Sequence, residues 1–400
     1  MSVTESAAKI ADRLRTMDFV HVYAHHDADG IASAAILCVA LRRADIGFRL
    51  RFLPQLAASD VECPEISVLC DLGASVSELP ESVIIIDHHV PYAKTPYHIN
   101  PRLEGLDGER ELSAAGCAYL VATALSSDNR DLAGLVMAGV IGDKQEVCGM
   151  NETIVGDAIG NNLITPGKGI LLPGRTTREQ IEYAFSPYLP GLSGDAEKAE
   201  EIERKCQEMT SDEAYASKLL TSIVMQSPAS EASLTGLYGP SWKLHREIIP
   251  DANSLSAVID ACGKAGRADL GFAAASGDAA KEDEAWSVAL GFRKHLIENA
   301  ASAKEIRPHV YEVKDADAAS DVADMLSADK MSPVIVIGRA PSYLKVSARA
   351  PYGSGVNFEQ FMKQSAEKFG GTGGGHASRA GGELPPECEA EFLAAIPEFA

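Results

Sequence analysis

Phe19-Val20-His21-Val22-Tyr23-Ala24-His25-His26-Asp27-Ala28-Asp29-Gly30 runs directly into Ile31-Ala32-Ser33-Ala34-Ala35-Ile36-Leu37-Cys38-Val39-Ala40-Leu41-Arg42-Arg43. Residues 19–24 form a short aromatic and β-branched run, which predicts a strand, and the alanine- and leucine-rich run over 31–43 predicts a helix. A strand that passes through a polar turn into a helix is the opening unit of a parallel α/β sheet. Further strands are expected over 48–53, 66–70 and 83–86, and helices over 113–125, with Ser113 as N-cap, and over 131–141. Three of the four strands run into polar clusters: His25 to Asp29, Asp71, and Asp87-His88-His89. Ligands of open α/β sheets collect beyond the carboxyl ends of the strands, where these groups would lie.

The rest of the chain reads as a helical connection and a second α/β domain. Residues 151–194 are rich in breakers such as Pro166-Gly167 and Pro173-Gly174, and residues 195–226 read as a charged connecting helix. A second domain is expected to begin near Leu237, with strands over 286–292, 334–337 and 343–348 and a helix over 358–369. It closes with the glycine-rich run over 370–375 and His376. The expected division is 1–195 for a first α/β domain, 196–236 for a helical linker and 237–400 for a smaller α/β domain.

Composition narrows the function classes. With 46% hydrophobic and 23% charged residues, the 400-residue chain can build cores of ordinary size. No apolar run reaches the roughly 18 residues of a membrane span, and residues 1–20 read as an amphipathic helix without a signal peptide's apolar centre, so a cytoplasmic location and no membrane partner are expected. Eight cysteines without a Cys-x-x-Cys pair read as buried thiols. The net charge of −21 repels nucleic acid on average. Residues 339–382 are the exception: Arg339, Lys345, Arg349, Lys363, Lys368 and Arg379 stand against Glu359 and Glu367, giving +4 there and −25 elsewhere.

His25, Asp27, Asp29, Asp71, His88 and Asp143, with Asp87 and His89 beside them, combine imidazole with carboxylate. That donor set suits Mn²⁺ or another divalent first-row ion. One ion could not use six protein donors and stay open for substrate, so the count favours two ions. Glycines at 370–375 would let backbone N–H groups approach a phosphate, and Arg349 could grip one with two bonds. Tyr343, Tyr352, Phe358 and Phe369 are the aromatic residues there that could stack on a base.

Ala24-His25-His26-Asp27-Ala28-Asp29-Gly30, Asp71, Asp87-His88-His89 and Gly142-Asp143 resemble, in order, the four motifs of the DHH phosphoesterase family. Ser347-x-Arg349 and Gly373-Gly374-Gly375-His376-x-x-x-Ala380-Gly381 resemble the family's associated C-terminal domain. Leu172-Pro173-Gly174-Arg175 and Ser186-Pro187-Tyr188-Leu189-Pro190-Gly191-Leu192 are similar to stretches of archaeal RecJ-like exonucleases. The OB-type domain usual in bacterial RecJ has no room in this sequence.

The resemblance implies an active site in a cleft between two domains. It implies one Mn²⁺ on His25, Asp27 and Asp71, and a second on Asp29, Asp71, His88 and Asp143, with Asp71 bridging and Mg²⁺ as the alternative ion. His89 would contact the scissile phosphate or its leaving oxygen, and Asp87 would orient the histidines. Ser347, Arg349, Gly373, Gly374, Gly375, His376 and Arg379 would bind substrate. The implied function is an exonuclease that trims single-stranded DNA or RNA to mononucleotides, in DNA repair or replication, with a GINS-type replication partner. The same parts would suit a phosphodiesterase or phosphatase for short oligonucleotides, 3′-phosphoadenosine phosphate or cyclic dinucleotides. A catalytically silent replication scaffold would be free to lose the ligand set, which is complete here.

Overall fold

The computed structural model describes residues 2–351 and 354–397. In chain order the elements are α1 (Val3–Leu14), β1 (Phe19–His25), α2 (Ala28–Arg43), β2 (Gly47–Leu53), β3 (Ser67–Cys70), β4 (Ile84–Ile86) and β5 (His98–Ile99). Then come α3 (Ala114–Leu125), α4 (Ala133–Gly142), α5 (Gly149–Gly160), β6 (Ile164–Ile170), α6 (Thr177–Glu182), α7 (Ala196–Gln207), α8 (Asp212–Gln226) and α9 (Glu231–Thr235). They are followed by β7 (Tyr238–Leu244), α10 (Ala252–Lys264), α11 (Ala268–Ala275), α12 (Glu282–Ser302), β8 (Lys304–Arg307) and β9 (Val310–Val313). The chain ends with α13 (Ala319–Lys330), β10 (Val334–Arg339), β11 (Leu344–Arg349), α14 (Phe358–Phe369), β12 (Thr372–Gly375), β13 (Arg379–Leu384) and α15 (Glu389–Ala395).

Two compact units result, and neither is continuous in sequence. The first comprises residues 1–169 and 240–292, the second 170–239 and 293–400. The expected boundaries at 195 and 237 differ from this division. Residues 240–292 return to the first unit because α10 and α11 pack on α2, burying Leu255, Val258, Ile259 and Leu270 in its core. The segment expected as a linker has its own core, in which Ile202, Leu219 and Ile223 meet Leu172, Ile181 and Leu237. Its expected single helix is two, α7 and α8, each started by a side-chain cap, Asp195 and Ser211 respectively.

The first unit is built on a five-stranded sheet of order β2-β1-β3-β4-β5, parallel throughout. The order reverses between β1 and β3, so the ends of these neighbouring strands make a topological switch point. Against the sheet lies α2, buried on nearly all sides from Ala28 to Leu41 and in contact with α3, α4, α10 and α11. Its uniformly apolar sequence reflects that position. Ile31, Ile36, Leu37 and Leu41 are fully buried and each contributes about 1.5–3 kcal/mol.

The second unit holds a six-stranded sheet of order β12-β13-β11-β10-β9-β8. Only β9 and β10 pair in parallel, joined through α13, and the remaining pairs are antiparallel. Two expectations fail locally. Residues 286–292 are helical, inside α12, whose buried positions Trp286, Ala289, Arg293, Leu296 and Ala300 follow a helical period that a seven-residue apolar window hides. Pro166-Gly167, expected as a breaker, lies within β6, one strand of a two-stranded sheet with β7, where a proline can be accommodated.

Candidate metal centre

Three strand ends and two helix ends of the first unit supply the polar cluster. Asp27 is the N-cap of α2, its side chain accepting from the Gly30 amide at 3.0 Å, and His25 ends β1. A Cβ at Gly30 would come 2.4 Å from the His25 carbonyl oxygen, so the glycine is what lets α2 begin against the strand it follows. Asp71 follows β3 in the left-handed region (φ 57°), which aspartate tolerates better than most residues, and its amide donates to the Ile86 carbonyl. Asp87, His88 and His89 follow β4, and Asp143 caps the C-terminus of α4. Asp29 is fully buried and accepts from the amides of Ala114 (2.7 Å) and Ala115 (2.9 Å) at the N-terminus of α3. A Cβ at Gly139 would stand 2.1 Å from Asp29 Oδ1, so α4 can approach this carboxylate only with glycine there.

Asp71 faces two groups at once. Its Oδ2 lies 3.4 Å from His25 Nδ1, while its Oδ1 lies 3.4 Å from His88 Nε2 and 3.5 Å from His89 Nδ1. His25 Nδ1 is 2.8 Å from Asp27 Oδ2, and His88 Nε2 is 3.0 Å from Asp143 Oδ2 and 3.8 Å from Asp29 Oδ2. Donor atoms within 4.8 Å of one another form the sets His25, Asp27, Asp71 and Asp29, His88, Asp143, with a further set of Asp71, Asp87, His88 and His89. His25 Nδ1, His88 Nε2 and Asp71 Oδ1 are buried yet make no hydrogen bond of acceptable geometry. Orphaned donor atoms converging from imidazoles and carboxylates fit divalent cations better than a protein-only ion-pair network.

The electrostatics agree with that fit. Burial works against charging His25, but Asp27 and Asp71 overcome it and push its pKa up to about 11. Burial likewise opposes the charged form of His88, and Asp143 and Asp71 raise it well above the ordinary value. Asp29 and Asp143 are shifted upward, in both cases chiefly by burial, with neighbouring carboxylates adding to it.

Asp87, which belongs to the third of these sets, is also tied by hydrogen bonds to the loop that carries the histidines. Although burial raises its pKa, the His89 side chain more than compensates and holds it below the usual carboxylate range. Its Oδ2 accepts from the Ala74 amide at 2.9 Å, and its Oδ1 from the amides of His88 (2.7 Å) and His89 (3.1 Å) and from His89 Nδ1 (2.8 Å). The His88 Nδ1–H donates to the Gly108 carbonyl at 2.6 Å, leaving Nε2 to face Asp143. The motif reading gave no part to Gly108, Gly139, Gln145, Asn151 or the α3 amides.

The residues expected to bind substrate lie in the second unit. Ser347 is buried in β11, paired with Gly381 of β13. Gly373, Gly374 and Gly375 belong to β12, and His376 and Arg379 close the turn to β13 with reciprocal backbone hydrogen bonds of 2.7 and 3.2 Å. Arg349 is consumed internally: Nε donates to Asp324 Oδ1 (2.8 Å), Nη2 to Ser320 Oγ (2.6 Å), and Nη1 to the carbonyls of Ala348 (3.0 Å) and Ala380 (3.3 Å). Arg379 reaches the other Asp324 oxygen at 2.8 Å and remains 55% exposed. The basic window is largely neutralised, with Arg339 on Glu312 and Glu389, Lys345 on Glu383 and Lys363 on Glu359. Phe358 is fully buried, Phe369 packs on the core, Tyr343 is half-buried, and Tyr352 lies outside the described residues.

Comparison with known proteins places this arrangement. Residues 19–140 match the family model of the DHH family, N-terminal domain, and residues 308–400 match that of the DHHA1 domain. The chain is a member of the DHH family with a C-terminal DHHA1 domain. Uncharacterized protein MJ0831 of Methanocaldococcus jannaschii is 28% identical to it, over 95% of this chain and 93% of that protein. The single-stranded-DNA-specific exonuclease RecJ of Thermus thermophilus is 28% identical over 49% of this chain but only 34% of its own length. The crystal structure of that organism's RecJ with Mn²⁺ superposes with a TM-score of 0.60 at 18% identity, covering 100% of this chain and 55% of RecJ. CDC45 of Entamoeba histolytica superposes at 0.62 with 13% identity, covering 96% of both chains. At these identities the superpositions speak to the fold. Among the described residues no helix is long and apolar enough to cross a membrane.

Proposed function

We propose that the chain is a Mn²⁺-dependent phosphodiesterase of RecJ type that releases mononucleotides from single-stranded DNA or RNA, with Mg²⁺ as the alternative ion. The observation that carries this reading is Asp71, whose two carboxylate oxygens face His25 on one side and His88 and His89 on the other. His25, Asp27 and Asp71 would hold one cation, and Asp29, Asp71, His88 and Asp143 a second. Such a pair of ions supplies an activated water near neutral pH and charge neutralisation at phosphoryl oxygens.

The chain's own groups account for orientation and proton handling. Asp87 accepts from His89 Nδ1 and so fixes the ring with Nε2 free. Although burial lowers the His89 pKa, Asp87 brings it up to about 9 in the protein without cations, and Nε2 is the ring nitrogen left to meet the leaving oxygen. His89 is half-exposed, as a group meeting substrate must be. Arg379 and His376, both exposed, would contact substrate phosphates, with Asp324 holding Arg379 in place.

The pairing of basic side chains over 339–382 with carboxylates favours a second reading for substrate length. A long strand needs several unpaired cations, whereas a short oligonucleotide, 3′-phosphoadenosine phosphate or a cyclic dinucleotide needs one or two. A silent replication scaffold with a GINS-type partner is disfavoured by the complete donor set. End-labelled DNA and RNA of graded length, incubated with Mn²⁺, separate these readings. Mononucleotides from every length support the exonuclease. Turnover confined to the shortest substrates supports the second reading, and no turnover of any substrate contradicts both.

A further inference from the structure

Asn151, on α5, is fully buried beside no expected ligand, yet each end of its amide is committed. Its Oδ1 accepts from the amide of Ser113, the N-cap of α3, at 3.4 Å. Its Nδ2 donates to Gln145 Oε1 at 2.9 Å, with the carbonyls of Glu146 (3.3 Å) and Arg110 (3.5 Å) close by. The orientation of the Gln145 amide is thereby set, and its Nε2 donates to the Gly108 carbonyl at 2.9 Å. The same carbonyl accepts the His88 Nδ1–H at 2.6 Å. A carbonyl can only accept, so His88 carries a proton on Nδ1, and Nε2 is the nitrogen that faces the cluster.

The chain continues on the other side of Asn151. Ser113 starts α3, and the next two amides, Ala114 and Ala115, grip both oxygens of Asp29. Gln145 itself belongs to the turn that ends α4, its amide bonded to the Val140 carbonyl, two residues beyond Asp143. Asp29 and His88, two of the three donors of one set, are therefore held by supports that meet at a single pair of amide side chains, and Asp143, the third, lies two residues before Gln145.

We propose that Gln145 and Asn151 are positioning residues that set the geometry of the Asp29, His88 and Asp143 cation site through this hydrogen-bond chain, without touching the cation. The proposal rests on the metal-centre reading above. Loss of such outer partners costs about 10–100-fold in metal affinity. Because Gln145 is only half-buried, its truncation leaves no large cavity.

Mn²⁺ titration of the full chain by calorimetry, without substrate, tests it. Wild-type protein should take up two equivalents. Gln145→Ala and Asn151→Asp, the latter retaining the oxygen that accepts from the Ser113 amide, should each weaken one equivalent by about tenfold or more and leave the other unchanged. The double variant should lose no more than the worse single variant, since both cut the same chain. In metal-free protein with ¹⁵N-labelled histidine, the His88 Nδ1–H signal should be protected from exchange in the wild type and lose that protection in Gln145→Ala. Folded Gln145→Ala that binds both equivalents with wild-type affinity would overturn the proposal, as would losses that add in the double variant. Failure of the wild type to bind two equivalents would overturn the metal-centre reading itself.

Discussion

Glu247 shows at the scale of one residue how far this chain tolerates a buried carboxyl outside the candidate metal centre. It is 7% exposed, neither oxygen has a hydrogen-bond partner, and a Cβ at Gly134 of α4 would come 2.4 Å from Oε2. Burial pushes its pKa up to about 7, and the nearby backbone amide of Glu247 itself, followed by Arg246, whose Nη1 is 3.8 Å away, compensates only in part. The folded state then holds a proton that the unfolded chain has lost between about pH 4.5 and 7, so this group's contribution is present below pH 4.5 and is lost as pH rises through 7. A shift of this size corresponds to about 3 kcal/mol. Glu247→Gln should therefore raise the unfolding free energy at pH 8 and change it little at pH 5, as urea titrations at the two pH values would show. An equal effect at both pH values would mean that the carboxyl is not neutral in the folded protein.

At the scale of elements, the centre depends on how closely α4 and the start of α3 approach Asp29. Gly139→Ala would put a Cβ 2.1 Å from Asp29 Oδ1 and 2.8 Å from the Ala115 Cβ, so helix or carboxylate must move. The expected result is a loss of about 1–3 kcal/mol in stability together with weaker Mn²⁺ binding, measured by urea unfolding and calorimetry. Retention of both would show that α4 has more freedom than its packing suggests. The strands ending in His25, Asp71 and Asp87 were legible in the sequence because short β-branched runs stop abruptly at polar residues. Asp29 was legible as a donor, but its grip by the α3 amides was not, because backbone N–H groups carry no sequence signature. The helix α12 was misread over 286–292 because its period shows only across several turns. The return of α10 and α11 to the first unit was hidden because packing partners more than 200 residues apart leave no local pattern.

For the whole molecule, a net charge of −21 and a basic window paired with acids leave few cations for a polyanion. Affinity for single strands should fall with salt along a shallow slope, and a steep slope measured by fluorescence anisotropy would reveal a basic surface absent from this account. The two arginines on Asp324 should separate. Arg349→Ala removes a nearly buried cross-link and should cost about 2 kcal/mol of stability. Arg379→Ala, at an exposed position, should leave stability unchanged and raise KM for oligonucleotides with a smaller effect on kcat. The reverse pattern, read from urea unfolding and steady-state kinetics, would return the substrate contact to Arg349.

The central claim is that Asp71 joins two cation sites that perform the hydrolysis, and a small chromogenic phosphodiester tests it without involving strand binding. Protein stripped with EDTA should be inactive, and added Mn²⁺ should restore turnover more effectively than Ca²⁺, whose looser oxygen-based coordination suits imidazole donors poorly. In the same assay folded Asp71→Ala should lose roughly a thousandfold in kcat, equivalent to about 4 kcal/mol. Full turnover in excess EDTA, or near wild-type kcat in folded Asp71→Ala with Mn²⁺, would contradict the account.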